Sequence, residues 1–286
     1  MDGLAASVVV DSGEGVSDGR RFYKMTGSGN DFIVFDARDG DAPEMIEPAR
    51  IRRLSDRRQG IGADGVVVLQ SSARADLLMM YFNSDGSRGA MCGNAALCIT
   101  RLASQLGLTR PSGMTLETDD GILTSRLVND RPEIDLRPVR DVRVTAEGQP
   151  EAGETRLGYA VAGVPHVVVL CEDVAAVDVT RRGAGLRSAA WTGAAGANVN
   201  FVSPAGSAWA IRTFERGVEG ETLACGTGAV ASATLLRAWN LAGAECALRT
   251  RSGCTLEVSL REEKGLVVPR LRGEGRLVFE GQLREV

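Results

Sequence analysis

Short apolar runs broken by Gly-, Asn- and Asp-rich turns dominate the chain. Runs at 21–25, 32–36, 66–70 and 77–82 have strand length, and 115–128 reads as a hairpin about Asp119-Asp120-Gly121. Asn83-Ser84-Asp85-Gly86 is a turn signal between them. Two longer stretches, 93–106 and 226–241, repeat apolar positions at helical spacing, and the first meets a helix-ending glycine at Gly107. Helical spacing also covers 47–58 and 178–190. In the second half, strand-like runs fall at 159–170, 199–202 and 208–214. They are followed by a hairpin over 247–260 and two strands within 270–283. The segment 137–156 is poor in apolar residues and is the expected seam between two domains.

The halves repeat one another. Cys92-Gly93-Asn94-Ala95-Ala96 matches Cys225-Gly226-Thr227-Gly228-Ala229. Each motif follows a strand predicted to end at Phe82 or Phe214, and each opens an apolar helix. Upstream, Gly29-Asn30-Asp31-Phe32 parallels Gly163-Val164-Pro165-His166. The glycine-to-cysteine separation is 92 − 29 = 63 in one half and 225 − 163 = 62 in the other, which points to two copies of one α/β unit rather than a chance match.

Charge and length narrow the classes. A net charge of −4 lacks the basic footprint of a nucleic-acid binder. No apolar run approaches the roughly 20 residues of a membrane helix. Residues 1–20 lack the basic start and long apolar stretch of a signal peptide, so the expectation is a cytoplasmic protein with a loose N-terminal extension. The six cysteines include no C-x2-C pair, and His166 is the only histidine, so a zinc site is not indicated. Cys98, Cys171, Cys246 and Cys254 are expected to be small packing residues.

Cys92 and Cys225 suggest chemistry. A cysteine just before a helix sits at the positive end of the macrodipole, which lowers its pKa and favours the thiolate. The first helical N–H groups can bind a carboxylate, and Gly93, Gly226 and Gly228 let a ligand approach the backbone. Two such units facing one another supply an acid and a base on opposite faces of a carbon, as stereochemical inversion requires. Rival motifs are weaker. Gly60-Ile61-Gly62-Ala63-Asp64-Gly65 fits G-x-G-x-x-G, but it precedes a strand instead of following one and reads as a turn. Thiol-protease chemistry would have to use His166 and leaves the duplicated cysteine unexplained.

At these motifs the chain resembles diaminopimelate epimerases. The matching stretches are Phe22-Tyr23-Lys24-Met25 through Gly29-Asn30-Asp31-Phe32, Gly60 to Asp64, Phe82-Asn83-Ser84-Asp85-Gly86-Ser87, Met91-Cys92-Gly93-Asn94, Asn198-Val199-Asn200-Phe201, and Glu215-Arg216-Gly217 through Glu221-Thr222-Leu223-Ala224-Cys225-Gly226-Thr227-Gly228-Ala229. The resemblance implies an α+β fold of two pseudo-symmetric domains, each a strand-rich barrel-like unit around a central helix, with the active site in the cleft. The domains would be 21–137, with 275–286 returning to it, and 138–274, after an extension over 1–20. It implies an isomerase of lysine and cell-wall precursor biosynthesis, without a cofactor or metal, working by a thiolate–thiol pair at Cys92 and Cys225 as a cytoplasmic homodimer on a small amino-acid substrate. Asn30, Asn83, Asn198, Glu215 and Arg216 fall on substrate-holding positions, and Gly93, Asn94, Gly226 and Thr227 on the cradle for the reacting carboxylate. Alone, each asparagine would read as a turn or cap residue. The chain departs from the family pattern at Val164, where asparagine is usual, and at Ala95 and Leu97, where glycine and arginine are usual. A related racemase of another amino acid, such as histidine, and a binding protein on the same scaffold are the alternatives.

Overall fold

The computed structural model describes residues 19–40 and 43–284. Most of the expected N-terminal extension lies outside the described residues, and its last member, Arg20, already opens the first strand.

The two halves have one element order. The first runs through strands Arg20–Gly27 and Asn30–Asp36, helix α1 (Pro48–Ser55), strands Gly65–Gln70, Leu77–Asn83 and Arg88–Gly89, helix α2 (Gly93–Gln105), and strands Met114–Thr118, Gly121–Val128, Arg131–Asp135 and Arg140–Arg143. The second runs through strands Glu154–Ala162 and Val164–Cys171, helix α3 (Val179–Arg187), strands Asn198–Ala205, Ala208–Glu215 and Gly220–Thr222, helix α4 (Gly226–Ala238), and strands Glu245–Arg249, Thr255–Glu263, Leu266–Arg272 and Arg276–Leu283. Equivalent strands pair alike: Asn30–Asp36 runs parallel to Gly65–Gln70, and Val164–Cys171 parallel to Asn198–Ala205. The chain ends cross over. Arg276–Leu283 pairs with Arg20–Gly27, and Arg140–Arg143 pairs with Glu154–Ala162. Arg131–Asp135 pairs with Leu266–Arg272 and stitches the halves together.

Packing explains the two kinds of helix. Residues 93–100 of α2 and 228–236 of α4 are all buried, so each of these helices is enclosed on every side along that stretch and sits inside a wrap of strands. Small residues such as Ala95, Ala96, Ala103, Ala229, Ala231 and Ala233 let the strands close on them. In contrast, α1 buries one face through Ile51 and Leu54, and α3 buries one through Val179 and Leu186. Each covers the outer face of its own half.

Two expected boundaries shift for local reasons, and two strands were not expected. The helix expected to run to 58 stops at Ser55, because the Asp56 side chain accepts the N–H groups of Arg58 and Gln59 and turns the chain. The helix expected to run to 241 ends at Ala238, where Asn240 takes a left-handed φ of 60° and the Leu241 N–H closes back on the Leu236 carbonyl. Strands Arg131–Asp135 and Arg140–Arg143 had no hydropathy signal. The first points charged residues inward, and the second is exposed throughout.

Candidate active site

Cys92 and Cys225 occupy the N-cap positions of α2 and α4 with nearly the same backbone, φ −132° and ψ 119° against φ −135° and ψ 111°. The helix starts meet head to head. A Cβ built on Gly226 would lie 3.7 Å from the Gly93 Cα and 2.8 Å from a methyl of Leu271. A Cβ on Gly228 would stand 2.2 Å from the Asn200 side-chain oxygen, so only glycine lets α4 begin here. All eleven residues singled out in the sequence line one cavity between the halves: Cys92, Gly93 and Asn94; Cys225, Gly226 and Thr227; and Asn30, Asn83, Asn198, Glu215 and Arg216.

The strands leading to the cysteines run one residue beyond the expected ends, through Asn83 and Glu215. Strand alternation puts Phe82 and Phe214 in the cores and turns Asn83 and Glu215 to the opposite face, toward the cavity. Asn83 accepts from the Tyr81 hydroxyl (3.0 Å) and donates to Ser87 Oγ (3.0 Å). Glu215 accepts from Thr222 Oγ1 (2.9 Å), and burial raises its pKa. Asn198 accepts the Arg216 backbone N–H (2.8 Å), while the Arg216 guanidinium donates only to the Gly196 carbonyl (3.4 Å) among the described residues. Asn30 accepts from Asn94 Nδ2 (2.6 Å) and donates to Asp64 (3.1 Å). The buried Asn94 Oδ1 has no hydrogen-bond partner among the described residues and therefore calls for a donor.

The six-residue loop 60–65 is a turn leading into a strand, as the sequence suggested. It supplies Asp64, which also accepts from the Asp31 N–H (3.2 Å) and from Arg57 (2.8 Å). Buried Lys24 pairs with Asp31 at 2.7 Å. Burial alone would raise the Asp31 pKa, but hydrogen bonds from Arg57 and Lys24 prevail and bring it down to about 2. This ionic brace fixes the strand that carries Asn30.

The thiols correct one expectation. Helix N-termini were expected to favour thiolates. Instead burial pushes the Cys92 thiol up to about 11, against the pull of the Ala95 and Asn94 N–H groups. Burial, with the nearby Glu215 carboxylate second, pushes Cys225 up to about 12. Both are therefore protonated near neutral pH, because loss of water outweighs the helix terminus. Thr227 Oγ1 lies 3.5 Å from the Cys225 sulfur. His166 takes no part with either thiol. It is fully buried, contacts Asn200 through Nδ1 (3.2 Å), and burial lowers it to about 3.

In the sequence Asp64 and Asp120 stand as motif and turn residues, and nothing there marks either of them, or Tyr81, as part of the site. Tyr81 and Asp120 line the cavity, and Asp64 supports it from behind. For Tyr81 the sequence held no signal: Gly65 and Gly89 come to lie against its ring only in the folded chain.

A profile of the diaminopimelate epimerase family matches residues 22–140 and 158–276, one copy in each half. The chain is 50% identical over 274 residues to a diaminopimelate epimerase of Gemmatimonas aurantiaca, covering 92% of this chain and 98% of the relative. It is 37% identical to one of Methanocella arvoryzae, covering 92% and 96%. Among solved structures it resembles a PhzF-family phenazine biosynthesis protein of Bacillus anthracis (TM-score 0.73, 16% identity, 93% and 99% covered). It also resembles a hydroxyproline epimerase of Agrobacterium vitis (TM-score 0.68, 19% identity, 92% of each chain covered). At such identities these two speak for the fold alone.

Proposed function

The chain belongs to the diaminopimelate epimerase family, and from that premise we propose that it interconverts LL- and meso-diaminopimelate by passing a proton at one α-carbon between Cys92 and Cys225. The observation that carries the reading is the pair of cysteine N-caps, matched in backbone and set around one cavity. The substrate's reacting carboxylate lies on the unpaired N–H groups at the starts of α2 and α4, which stabilise the negative charge that grows as the proton leaves. One cysteine, as thiolate, takes the α-proton. The other, as thiol, returns a proton to the opposite face. Each turnover leaves the proton on the sulfur that lacked one, so the enzyme is set for the reverse direction.

The cavity's charges suit the far end of the substrate. Arg216 offers a guanidinium without a carboxylate partner among the described residues, and Glu215 offers a carboxylate for an ammonium. The orphan Asn94 Oδ1 is satisfied by a substrate ammonium at the reacting end. Within this reading, residues 21–137 with 275–286 form one unit and 138–274 the other, supported by the crossed pairing of the chain ends. It also includes a cytoplasmic location and a homodimer, the latter supported by the exposed Val278 and Phe279 on the last strand, which a second copy would cover. The activity fits lysine biosynthesis.

The test is proton NMR of LL-diaminopimelate in deuterated water. Loss of the α-proton signal with growth of the meso isomer is expected, and absence of both overturns the reading. Val164 sharpens the test. It lines the cavity at the position that Asn30 fills in the other half. Val164→Asn adds a donor toward the substrate's far carboxylate and is expected to raise kcat/KM on diaminopimelate about tenfold, since a hydrogen bond to a charged group is worth about 1.5–3 kcal/mol. A fall in kcat/KM would mean that the valine contacts an apolar part of the substrate.

A further inference from the structure

The two cysteines share a backbone but not a neighbourhood. Phe82 and Phe214 are equivalent, so the residues one step earlier, Tyr81 and Thr213, are twins. Thr213 turns its hydroxyl away from the cavity to Asn200 Oδ1 (3.0 Å), buried in its own half. Tyr81 instead lines the same cavity as Cys92. At the helix start the asymmetry is reversed. Thr227 stands beside Cys225, whereas its twin Asn94 is occupied with Asn30. Each cysteine thus has one hydroxyl on its side of the cavity, taken from a helix in one half and from a strand in the other.

The Tyr81 ring is held by its surroundings. A Cβ on Gly65 would lie 2.7 Å from the ring, and one on Gly89 would lie 2.6 Å from it on another edge. Phe32 meets it edge-on, with centroids 6.2 Å apart and planes at 75°. Two glycines and an aromatic neighbour leave the ring one place to be, and its hydroxyl donates to Asn83. A phenol has one proton to donate, so serving Asn83 and serving a thiolate are alternatives.

We propose that Tyr81 is a positioning residue whose hydroxyl turns from Asn83 to the Cys92 sulfur when that thiol ionises, so that the two pseudo-equivalent cysteines hold their protons unequally. The inference rests on the epimerase reading. The proximity is mutual: burial chiefly raises the Tyr81 pKa and Cys92 raises it further, while the Tyr81 hydroxyl pulls Cys92 the other way. The other groups that bear on this pair are Glu215 from the facing strand, Asp64 behind Tyr81, Cys98 on α2 and Cys225 across the cavity. Arg216 and Asp120 also line the cavity. None of these is altered by removing the phenol oxygen. Because Asn83 is a proposed substrate-holding residue, a ligand that engages its amide oxygen frees the Tyr81 proton for Cys92 and couples binding to ionisation.

Tyr81→Phe keeps the ring and its seat and deletes only the hydroxyl. With the parent enzyme active on diaminopimelate, the acid-side limb of the kcat/KM–pH profile is expected to move up by about one pH unit, the size of one hydrogen bond to a charged group. Below that limb kcat/KM falls about tenfold for both isomers alike, because a catalyst cannot change their equilibrium. Iodoacetamide labelling, read on the Cys92 and Cys225 peptides by mass spectrometry, slows about tenfold at Cys92 only. Replacing Tyr81 by difluorotyrosine, a stronger donor as long as its phenol keeps its proton, moves the limb and the Cys92 labelling in the opposite direction when both are read below the fluorinated phenol's own ionisation, which a merely structural ring does not do. Labelling does not depend on turnover, so an inactive parent would refute the substrate while the Cys92 rate still tests Tyr81. Unchanged Cys92 labelling in both variants, or equal slowing at both cysteines, overturns the proposal.

Discussion

Cys92→Ala and Cys225→Ala are each expected to lower epimerisation of both diaminopimelate isomers by roughly 10²- to 10⁴-fold, the range lost with a positioned acid or base. Both directions fall together, since each needs one sulfur to take a proton and the other to give one. Solvent exchange separates the roles more sharply than turnover. In Cys225→Ala the isomer whose α-proton faces Cys92 still meets a base, so it exchanges deuterium slowly while keeping its configuration. The other isomer meets no base and does not exchange. In Cys92→Ala the isomers swap roles. Replacement of Cys98, a buried thiol that packs within the core around α2, leaves exchange in both isomers. Inversion at the parental rate in either active-site variant, or exchange of both isomers in both, would exclude transfer between two sulfurs. The experiment also bears on how the two thiols ionise. With Cys92 at about 11 and Cys225 at about 12, ionising either at neutral pH is costly, so the substrate's ammonium must help once water is displaced.

What the sequence made legible was the part governed by local pattern. The apolar stretches that became α2 and α4 announced themselves through continuous small and aliphatic residues, and the repeated Cys-Gly pair located both N-caps. Other features depended on contacts between distant segments. Arg131–Asp135 has no apolar alternation because Glu133 and Asp135 face arginines brought from 126, 270 and 272. Tyr81 looked like one more strand aromatic until folding set Gly65 and Gly89 against its ring. The thiolate expectation failed for the same reason. A helix N-terminus is readable from sequence, but the burial that outweighs it is a property of the assembled cleft.

The seam between the halves should set their stability, and Glu133→Gln is expected to cost about 3 kcal/mol, the lower part of the range for breaking a buried ion pair. Glu133 is only 2% exposed. It pairs with Arg126 at 2.5 Å and with Arg272 at 2.7 Å, and its backbone lies in the strand pair that joins the halves. A glutamine fits the space but leaves both guanidinium groups short of a charge. Asp135, which also binds Arg126 and Arg270, offsets part of the loss. The melting temperature should fall by about 6–12 °C at a few degrees per kcal/mol. The pH dependence follows from the same contacts. Burial alone would raise the Glu133 pKa, but hydrogen bonds from Arg272 and Arg126 lower it, and Arg126 does the same for Asp135 against its own burial. Carboxyls whose folded pKa lies below the unfolded value stabilise the fold above that unfolded value. The unfolded values are near 4.5 and 3.8, so the stabilisation is complete at neutral pH and drains away as the solution is acidified through and below that range. The parent should therefore lose melting temperature more steeply than Glu133→Gln between about pH 5 and 3. Calorimetry across that interval decides the matter: parallel curves, or a variant that melts with the parent at pH 7, would mean that the seam is held by its strand hydrogen bonds and not by its charges.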